Sequence, residues 1–265
     1  MSDSVVLDVD RRGIATVTIN RPEVRNAFDD KVIASLTDIL VELAERDDLR
    51  ILVITGAGKA FSSGADVKWM QSTAGYSEEQ NFEDALLLAD LMVTLSAFSR
   101  PTVARINGHA FGGGVGLVAC CDIAIASEEA LFALSEVRLG LVPAVISPYV
   151  INAIGGRQAR RYFLSGEPIA AHEARRIGLI HEVVAAEDLD GMVEDQLLLL
   201  LKGGPKATRE CKELIGAVNG RLLGADEALQ RRTAEIIAQL RVADEGQEGL
   251  QAFLEKRPPS WAVKS

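Results

Sequence analysis

The sequence predicts an α/β fold, because buried strands alternate with amphipathic helices along its first two thirds. From about residue 30 to 46, apolar residues recur every three or four positions, which is the pattern of a helix with one buried face. The apolar run 50–55 that follows is typical of a strand buried on both faces. Further cycles of this kind indicate helices packed outside parallel strands, and functional loops are then expected after strand ends.

The other elements follow from the same patterns. Two β-prone runs, 5–9 and 15–20, predict a hairpin around the turn at 10–13. The later cycles predict a helix at 82–98, a strand at 101–106, a short helix to Cys120 and a strand at 122–126. From Ser147 onward nearly everything reads as helical, with Ser147 as N-cap and Pro148 as the first helical residue. The helices expected in this last part are 157–165, 170–177, 187–201, 205–219, 225–240 and 245–255.

Composition narrows the class of protein. With 265 residues, 48% hydrophobic residues and a mean hydropathy of +0.14, a compact soluble protein is expected. The net charge of −10 opposes a broad nucleic-acid surface, which needs clustered Lys and Arg. Three cysteines without a C-x-x-C pair suggest neither a disulfide framework nor a zinc site. Because we see neither a signal peptide nor an apolar run of membrane-spanning length, we expect a cytoplasmic protein without membrane contact.

Two glycine-rich segments follow predicted strands. They comprise residues 61–68 and 111–117, and the second contains three successive glycines. Backbone amides of such loops can approach a ligand closely, so the two segments could each donate one N–H to a single oxygen. The alternatives are an ordinary turn at Gly64 and close packing of a helix against a strand at the glycine triplet.

Glu136 is the candidate acid or base. Its neighbours at 130–143 are mostly apolar, and an apolar setting raises the pKa of a carboxyl group toward neutrality. The alternative is an ion pair with Arg138 at a surface turn. Competing motifs fail: the segment 56–59 lacks the phosphate-loop spacing, no dinucleotide fingerprint is present, and the three histidines lack metal-ligand spacing.

Taken together, the motifs resemble those of the crotonase, or enoyl-CoA hydratase/isomerase, superfamily. The matching segments are 19–22 (INRP), 26–28 (NAF), 61–66 (FSSGAD), 106–108 (ING), 111–114 (FGGG), 121–123 (CDI) and 135–140 (SEVRLG). The resemblance implies a crotonase-like spiral of ββα units over residues 1–200. It also implies a C-terminal helical region, 201–265, that mediates assembly into a homotrimer or a hexamer built as a dimer of trimers.

The resemblance also implies roles for individual residues. The amides of Ala65 and Gly113 would form an oxyanion hole for the oxygen of an acyl-CoA thioester, with Glu136 as the catalytic acid or base. No metal or other cofactor is implied, since CoA is part of the substrate. The residues that the resemblance places along the substrate and its CoA moiety are Arg25, Ala27, Asp66, Val67, Lys68 and Gly112.

One position departs from the family pattern. Family hydratases usually carry a second glutamate two residues after the glycine triplet, and this chain has Gly116 there. A single carboxylate can still catalyse dehydration and hydration, or move a proton between two carbons, as a Δ3,Δ2-enoyl-CoA isomerase does. The wall near the water or the β-carbon is expected to be remodelled, because residues 142–148 replace a glycine-rich turn.

The finer resemblance favours a hydratase. The segments 134–148 and 245–261, together with Gly116, look like those of bacterial methylglutaconyl-CoA hydratases of leucine breakdown and of isohexenylglutaconyl-CoA hydratases. Such substrates carry a distal carboxylate, for which Arg138 is one candidate partner. We hypothesise that this anion, or a residue outside the usual pair, helps to place the water. A non-catalytic homologue that binds CoA or RNA is the remaining alternative, and the acidic pI of 4.9 opposes RNA.

Overall fold

The computed structural model describes residues 4–218 and 227–257, which form two sheets surrounded by helices. The larger sheet has the strand order β1-β2-β3-β5-β7-β10, antiparallel between β1 and β2 and parallel elsewhere. Its strands are β1 (Val5–Val9), β2 (Ile14–Ile19), β3 (Ile51–Gly56), β5 (Thr102–Ile106), β7 (Ile123–Ser127) and β10 (Glu182–Val184). The predicted N-terminal hairpin and the predicted parallel strands are therefore present.

A second, four-stranded sheet was not expected from the sequence. Its order is β4-β6-β8-β9, with β4, β6 and β8 parallel to one another and β9 antiparallel to β8. The strands are β4 (Ala60–Ser62), β6 (His109–Phe111), β8 (Leu131–Ala133) and β9 (Ile169–Ala170). Segments of two or three residues are too short to show an alternating pattern, which is why sequence periodicity missed them.

Helices follow most strands, as a repeated strand and helix unit predicts. They are α1 (Asp30–Ala44), α2 (Val67–Thr73), α3 (Glu78–Ser96), α4 (Gly113–Cys120), α5 (Ser147–Ser165), α6 (Ala171–Arg176), α7 (Leu189–Leu201), α8 (Pro205–Val218), α9 (Glu227–Val242) and α10 (Asp244–Leu254). Short 3-10 helices lie at Pro22–Val24, Glu136–Leu139 and Ala186–Asp188. None of the helices among the described residues is long and apolar enough to cross a membrane.

Several helix ends differ from the predictions. Helix α3 begins earlier than expected, where Ser77 and Gln80 form a capping box. Ser147 is the first residue of α5 and not its N-cap, and its hydroxyl donates to the Ala144 carbonyl oxygen (2.7 Å). Predictions that concern residues 1–3, 219–226 and 258–265 lie outside the described residues.

The larger sheet is covered on both faces. Its main hydrophobic core involves α1, α3, α4 and α5, whereas a smaller cluster packs α7 against residues such as Ile51, Val103 and Ile125. Burial on both sides explains why β3 is a continuous apolar run. Helix α9 packs on α3, and α10 packs on both α9 and the 3-10 helix at Glu136–Leu139. The C-terminal helices thereby reach the loops at the ends of the small sheet. The boundary at residue 200 between a spiral core and a C-terminal helical region stays a prediction.

Candidate active site

The three predicted site segments meet because each follows one of three adjacent parallel strands. Ala65 comes three residues after β4, Gly113 two residues after β6 and Glu136 three residues after β8. Since the carboxyl ends of parallel strands lie at one edge of a sheet, these residues face a common space. The sequence predicted that functional loops follow strand ends, and the small sheet provides those ends.

The first loop is held by Asp66 and Phe28. The Asp66 carboxylate caps α2 by accepting from the Lys68 amide (2.8 Å) and also accepts from Arg21 Nη2 (2.8 Å). The Phe28 amide donates to the Gly64 carbonyl, and the Asp66 amide donates to the Phe28 carbonyl, both at 2.7 Å. Ala65 is thereby fixed between two hydrogen-bonded neighbours, while its own amide has no hydrogen-bond partner among residues 4–218 and 227–257.

The second loop lies directly against the first. Gly112 has a φ of +50°, which favours glycine, and a Cβ built there would be 4.0 Å from Gly64 Cα. Gly113 is the first residue of α4, so its amide has no partner within the helix, and the described part of the chain provides none elsewhere. A Cβ on Gly113 would be 2.9 Å from the Phe28 ring. Two free amides therefore lie on adjacent, tightly packed loops.

Glu136 points toward this pair of loops. Its Oε1 lies 3.3 Å from the position a Cβ on Gly112 would occupy, and its Oε2 is buried without a hydrogen-bond partner among the described residues. Burial raises the pKa of the Glu136 carboxyl to about 7. The alternative of an ion pair with Arg138 is wrong, since Glu136 takes part in no ion pair within the described segments.

A cavity of about 840 Å³ connects these groups. The residues that the sequence assigned to catalysis, to the oxyanion hole and to the acyl-CoA path all line it: Arg25, Ala27, Ala65, Asp66, Val67, Lys68, Gly112, Gly113 and Glu136. Arg25 and Lys68 are exposed, so these two cations lie where the cavity opens to solvent. Arg138 is not among the lining residues and lies beside Gly166, which removes the one cation the sequence offered for a distal carboxylate.

Gly116 does not line the cavity. It is buried within α4, where a Cβ would overlap the side chain of Ile146 and lie 3.1 Å from Met92 Sδ. The space that a side chain at 116 would take is filled by Ile146, which itself lines the cavity. The neighbouring residues Leu141 to Val145 also line it, so the wall beside Glu136 is apolar.

Sequence reasoning missed the polar group that the C-terminal helices contribute. Arg241 of α9 donates from Nη1 to Asp84 Oδ2 of α3 (2.7 Å), and its guanidinium lies 5.8 Å from the centre of the Trp69 ring. All three residues line the cavity, as does Gln247 of α10. Because 157 positions separate Asp84 from Arg241, no local motif could have signalled the pair.

Other polar candidates have structural roles. His109 Nδ1 accepts from the Leu131 amide (3.2 Å), and its ring stacks on that of Phe111. In the parts of the chain that the structure covers, no group of three or more His, Cys, Asp or Glu side chains could hold a metal ion. The chemistry that the arrangement itself provides is proton transfer by one carboxyl group beside two amides that can stabilise an oxyanion.

Comparisons with known proteins agree with this geometry. The family model for enoyl-CoA hydratase/isomerase matches residues 10–264. The crystal structure of an enoyl-CoA hydratase from Shewanella pealeana is 41% identical with a TM-score of 0.79, covering 98% of this chain and 96% of that one. One from Mycobacterium avium is 34% identical with a TM-score of 0.86, covering 99% and 100%. The mitochondrial enoyl-CoA hydratase domain-containing protein 3 of Danio rerio is 30% identical over 98% of this chain and 89% of its own length.

Proposed function

The chain belongs to the enoyl-CoA hydratase/isomerase family, and we propose that within it this protein hydrates a branched, carboxylated enoyl-CoA such as 3-methylglutaconyl-CoA. Its α/β architecture is the crotonase-like fold of its structural neighbours. The observation that carries the proposal is a buried Glu136 carboxyl group, with one oxygen unpartnered among the described residues and the other close to Gly112, in the same cavity as the two free loop amides. That combination is what the addition of water to an α,β-unsaturated thioester requires.

The proposed reaction uses Glu136 for both proton transfers. Ionised Glu136 takes a proton from water while the hydroxide adds to the β-carbon, and the electrons of the double bond move to the thioester oxygen. The amides of Ala65 and Gly113 stabilise the resulting enolate, and one such donor typically contributes about 3 kcal/mol. Glu136 then returns its proton to the α-carbon, so one water is added in total. No metal or redox cofactor takes part in this scheme.

Because this chain has Gly116 where family hydratases usually have a second glutamate, another group has to position the attacking water. A distal carboxylate on the substrate would do so. In 3-methylglutaconyl-CoA this carboxylate carbon is two bonds from the β-carbon, close enough for one oxygen to accept a hydrogen bond from the attacking water. The apolar wall formed by Leu141 to Ile146 supports this assignment, because it offers the water no polar side chain. A leucine-breakdown role, a cytoplasmic location and assembly as a trimer or hexamer remain predictions.

A second candidate is Δ3,Δ2-enoyl-CoA isomerisation. Ile146 fills the space beside Gly116, and proton transfer between two carbons needs one carboxylate and no water. Incubation with 3-methylglutaconyl-CoA and with a 3-enoyl-CoA separates the two reactions by the mass and the absorbance of the product. Hydration adds the mass of one water, whereas isomerisation leaves the mass unchanged and forms the conjugated 2-enoyl thioester, which is detected by its absorbance. Turnover of neither thioester, together with a salt-dependent shift of RNA, would indicate the non-catalytic alternative.

Replacing the carboxyl group tests Glu136 in either reaction. We expect Glu136→Gln to lower kcat by about 10²- to 10⁴-fold, because the amide neither takes nor returns a proton. In the unaltered protein, kcat/KM should rise with pH through about 7, since the raised pKa leaves Glu136 mostly protonated at pH 6. Full activity of Glu136→Gln in the acyl-CoA assay would contradict both mechanisms.

A further inference from the structure

Arg241 differs from the other cations of the cavity in its surroundings. Arg25 and Lys68 are exposed, whereas the Arg241 side chain is only 19% exposed and lies between α2, α3 and α10. Exposed cations at the opening suit the phosphates of a CoA moiety. A cation held inside a mostly apolar cavity instead meets the part of the ligand that enters it.

Arg241 is held in place at its side chain and at its backbone. Asp84 accepts from its Nη1, the Trp69 ring lies under its guanidinium, and Gln247 Nε2 donates to its backbone carbonyl (2.6 Å). Its Nε and Nη2 have no hydrogen-bond partner among the residues that the structure describes. The guanidinium is therefore preorganised and retains N–H groups on Nε and Nη2 that can donate hydrogen bonds to an anionic oxygen.

Asp84 partly neutralises the positive charge of Arg241. It pairs with Arg241, and burial raises the pKa of its carboxyl group despite that partner. A saturated hydrocarbon chain would gain nothing from contact with such a pair and would leave its free donors unsatisfied. The ligand that satisfies the site carries an acceptor group at the end of its acyl chain.

We infer that Arg241 is the specificity-determining residue that binds a carboxylate at the far end of the acyl group. This inference rests on the proposed function and names the residue that selects its substrate class. One oxygen of the carboxylate accepts from the free N–H groups of Arg241, and the other is left to hold the attacking water. Asp84 positions the guanidinium and weakens its charge.

Binding of two unreactive thioesters tests this. Glutaryl-CoA and pentanoyl-CoA have the same acyl length and no double bond, and they differ only in the terminal carboxylate. By isothermal titration calorimetry we expect the protein to prefer glutaryl-CoA, and Arg241→Gln to lower that preference by about ten- to a hundredfold. Arg231→Gln is the matched control, because this arginine of the same helix lies over the Phe82 ring and does not line the cavity.

A second variant moves the preference in the opposite direction. Asp84→Asn keeps an acceptor for Arg241 but removes the competing charge, so it should strengthen glutaryl-CoA binding relative to pentanoyl-CoA. A merely structural role for the pair would lower the affinity for both thioesters together. Asp84→Asn leaves Arg241 in place. Its effect on the glutaryl-CoA preference therefore tests the inference even if Arg241→Gln does not fold.

The outcomes also separate this inference from the proposed reaction. A glutaryl-CoA preference that Arg241→Gln removes supports the inference even if 3-methylglutaconyl-CoA is not hydrated, because neither probe can react. Hydration of 3-methylglutaconyl-CoA together with a preference that survives Arg241→Gln overturns the inference and leaves the reaction standing. Equal binding of both thioesters by the unaltered protein also overturns it.

Discussion

Gly116 and Ile146 form a complementary pair in the wall beside Glu136. The absence of a side chain at 116 lets Ile146 pack against the backbone of α4, and Met92 closes the same space. A carboxylate at 116 would need Ile146 to move, so Gly116 and the segment 142–148 that contains Ile146 form one structural feature. The replacement is a packed apolar wall and not an open space, and the remaining carboxyl group is desolvated, which keeps its pKa near neutrality.

A double-mutant cycle tests this packing. Gly116→Ala places a methyl group onto Ile146 and should lower the free energy of unfolding by about 1–3 kcal/mol through overpacking. The same change in an Ile146→Ala background should cost far less, because the overlapping side chain is gone. Urea unfolding of the four proteins measures both costs. Equal costs in the two backgrounds would show that the two positions are not in contact.

At the residue scale, the sequence predicted the site residues that stand in short, recognisable motifs. The glycine loops and Glu136 stand in short motifs, and Ala65, Gly113 and Glu136 line one cavity. Ile146 fills the space that a side chain at 116 would take. This contact could not be predicted, because Ile146 lies 30 positions after Gly116 in the sequence. The Arg138 proposal failed for a related reason: nearness to Glu136 in the chain gave it no access to the cavity.

Helix α10 supports the segment that carries Glu136. The two elements approach so closely at Gly249 that a Cβ there would overlap the Leu139 carbonyl group. Leu250 and Phe253 of the same helix line the cavity, and so does Leu139. The position of the catalytic candidate therefore depends on a helix more than 100 residues further along the chain.

Two glycine substitutions separate this contact from helix propensity. Gly249→Ala should lower the free energy of unfolding by about 1–3 kcal/mol and reduce kcat, because α10 and the Glu136 segment have to separate. Gly191→Ala in α7 is the control, since a Cβ there meets no atom within 4 Å. It should stabilise by about 0.5–1 kcal/mol without changing kcat. Thermal unfolding and acyl-CoA turnover give both quantities, and a stabilising Gly249→Ala would contradict the contact.

At the scale of elements, periodicity found the long helices and the buried strands but missed the small sheet. Strands β4, β6 and β8 have three residues each, yet their order places Ala65, Gly113 and Glu136 together. Likewise, the apolar pattern of the last helices did not reveal which face they cover. Both failures arise because tertiary pairing, and not local preference, fixes these elements.

Two of the C-terminal helices carry pairs of exposed apolar side chains. Leu198 and Leu199 of α7 and Leu214 and Ile215 of α8 are each between 45% and 62% exposed. Contiguous exposed apolar patches are typical of surfaces that another subunit covers, and each helix contributes two consecutive exposed residues. The predicted homotrimer, or dimer of trimers, would bury them.

Introducing negative charges at the exposed apolar residues of α8 should prevent assembly into a trimer or hexamer. By sedimentation velocity we expect the unaltered protein to have three or six times the mass of the 28.4 kDa chain. A Leu214→Glu, Ile215→Glu double variant should shift it toward the single-chain mass, because two desolvated carboxylates oppose burial of the interface. Val41→Glu makes a similar change at a 54% exposed position of α1 and should leave the mass unaltered. A single-chain mass for the unaltered protein would contradict the assembly, and an unchanged mass for the double variant would place the interface on another surface.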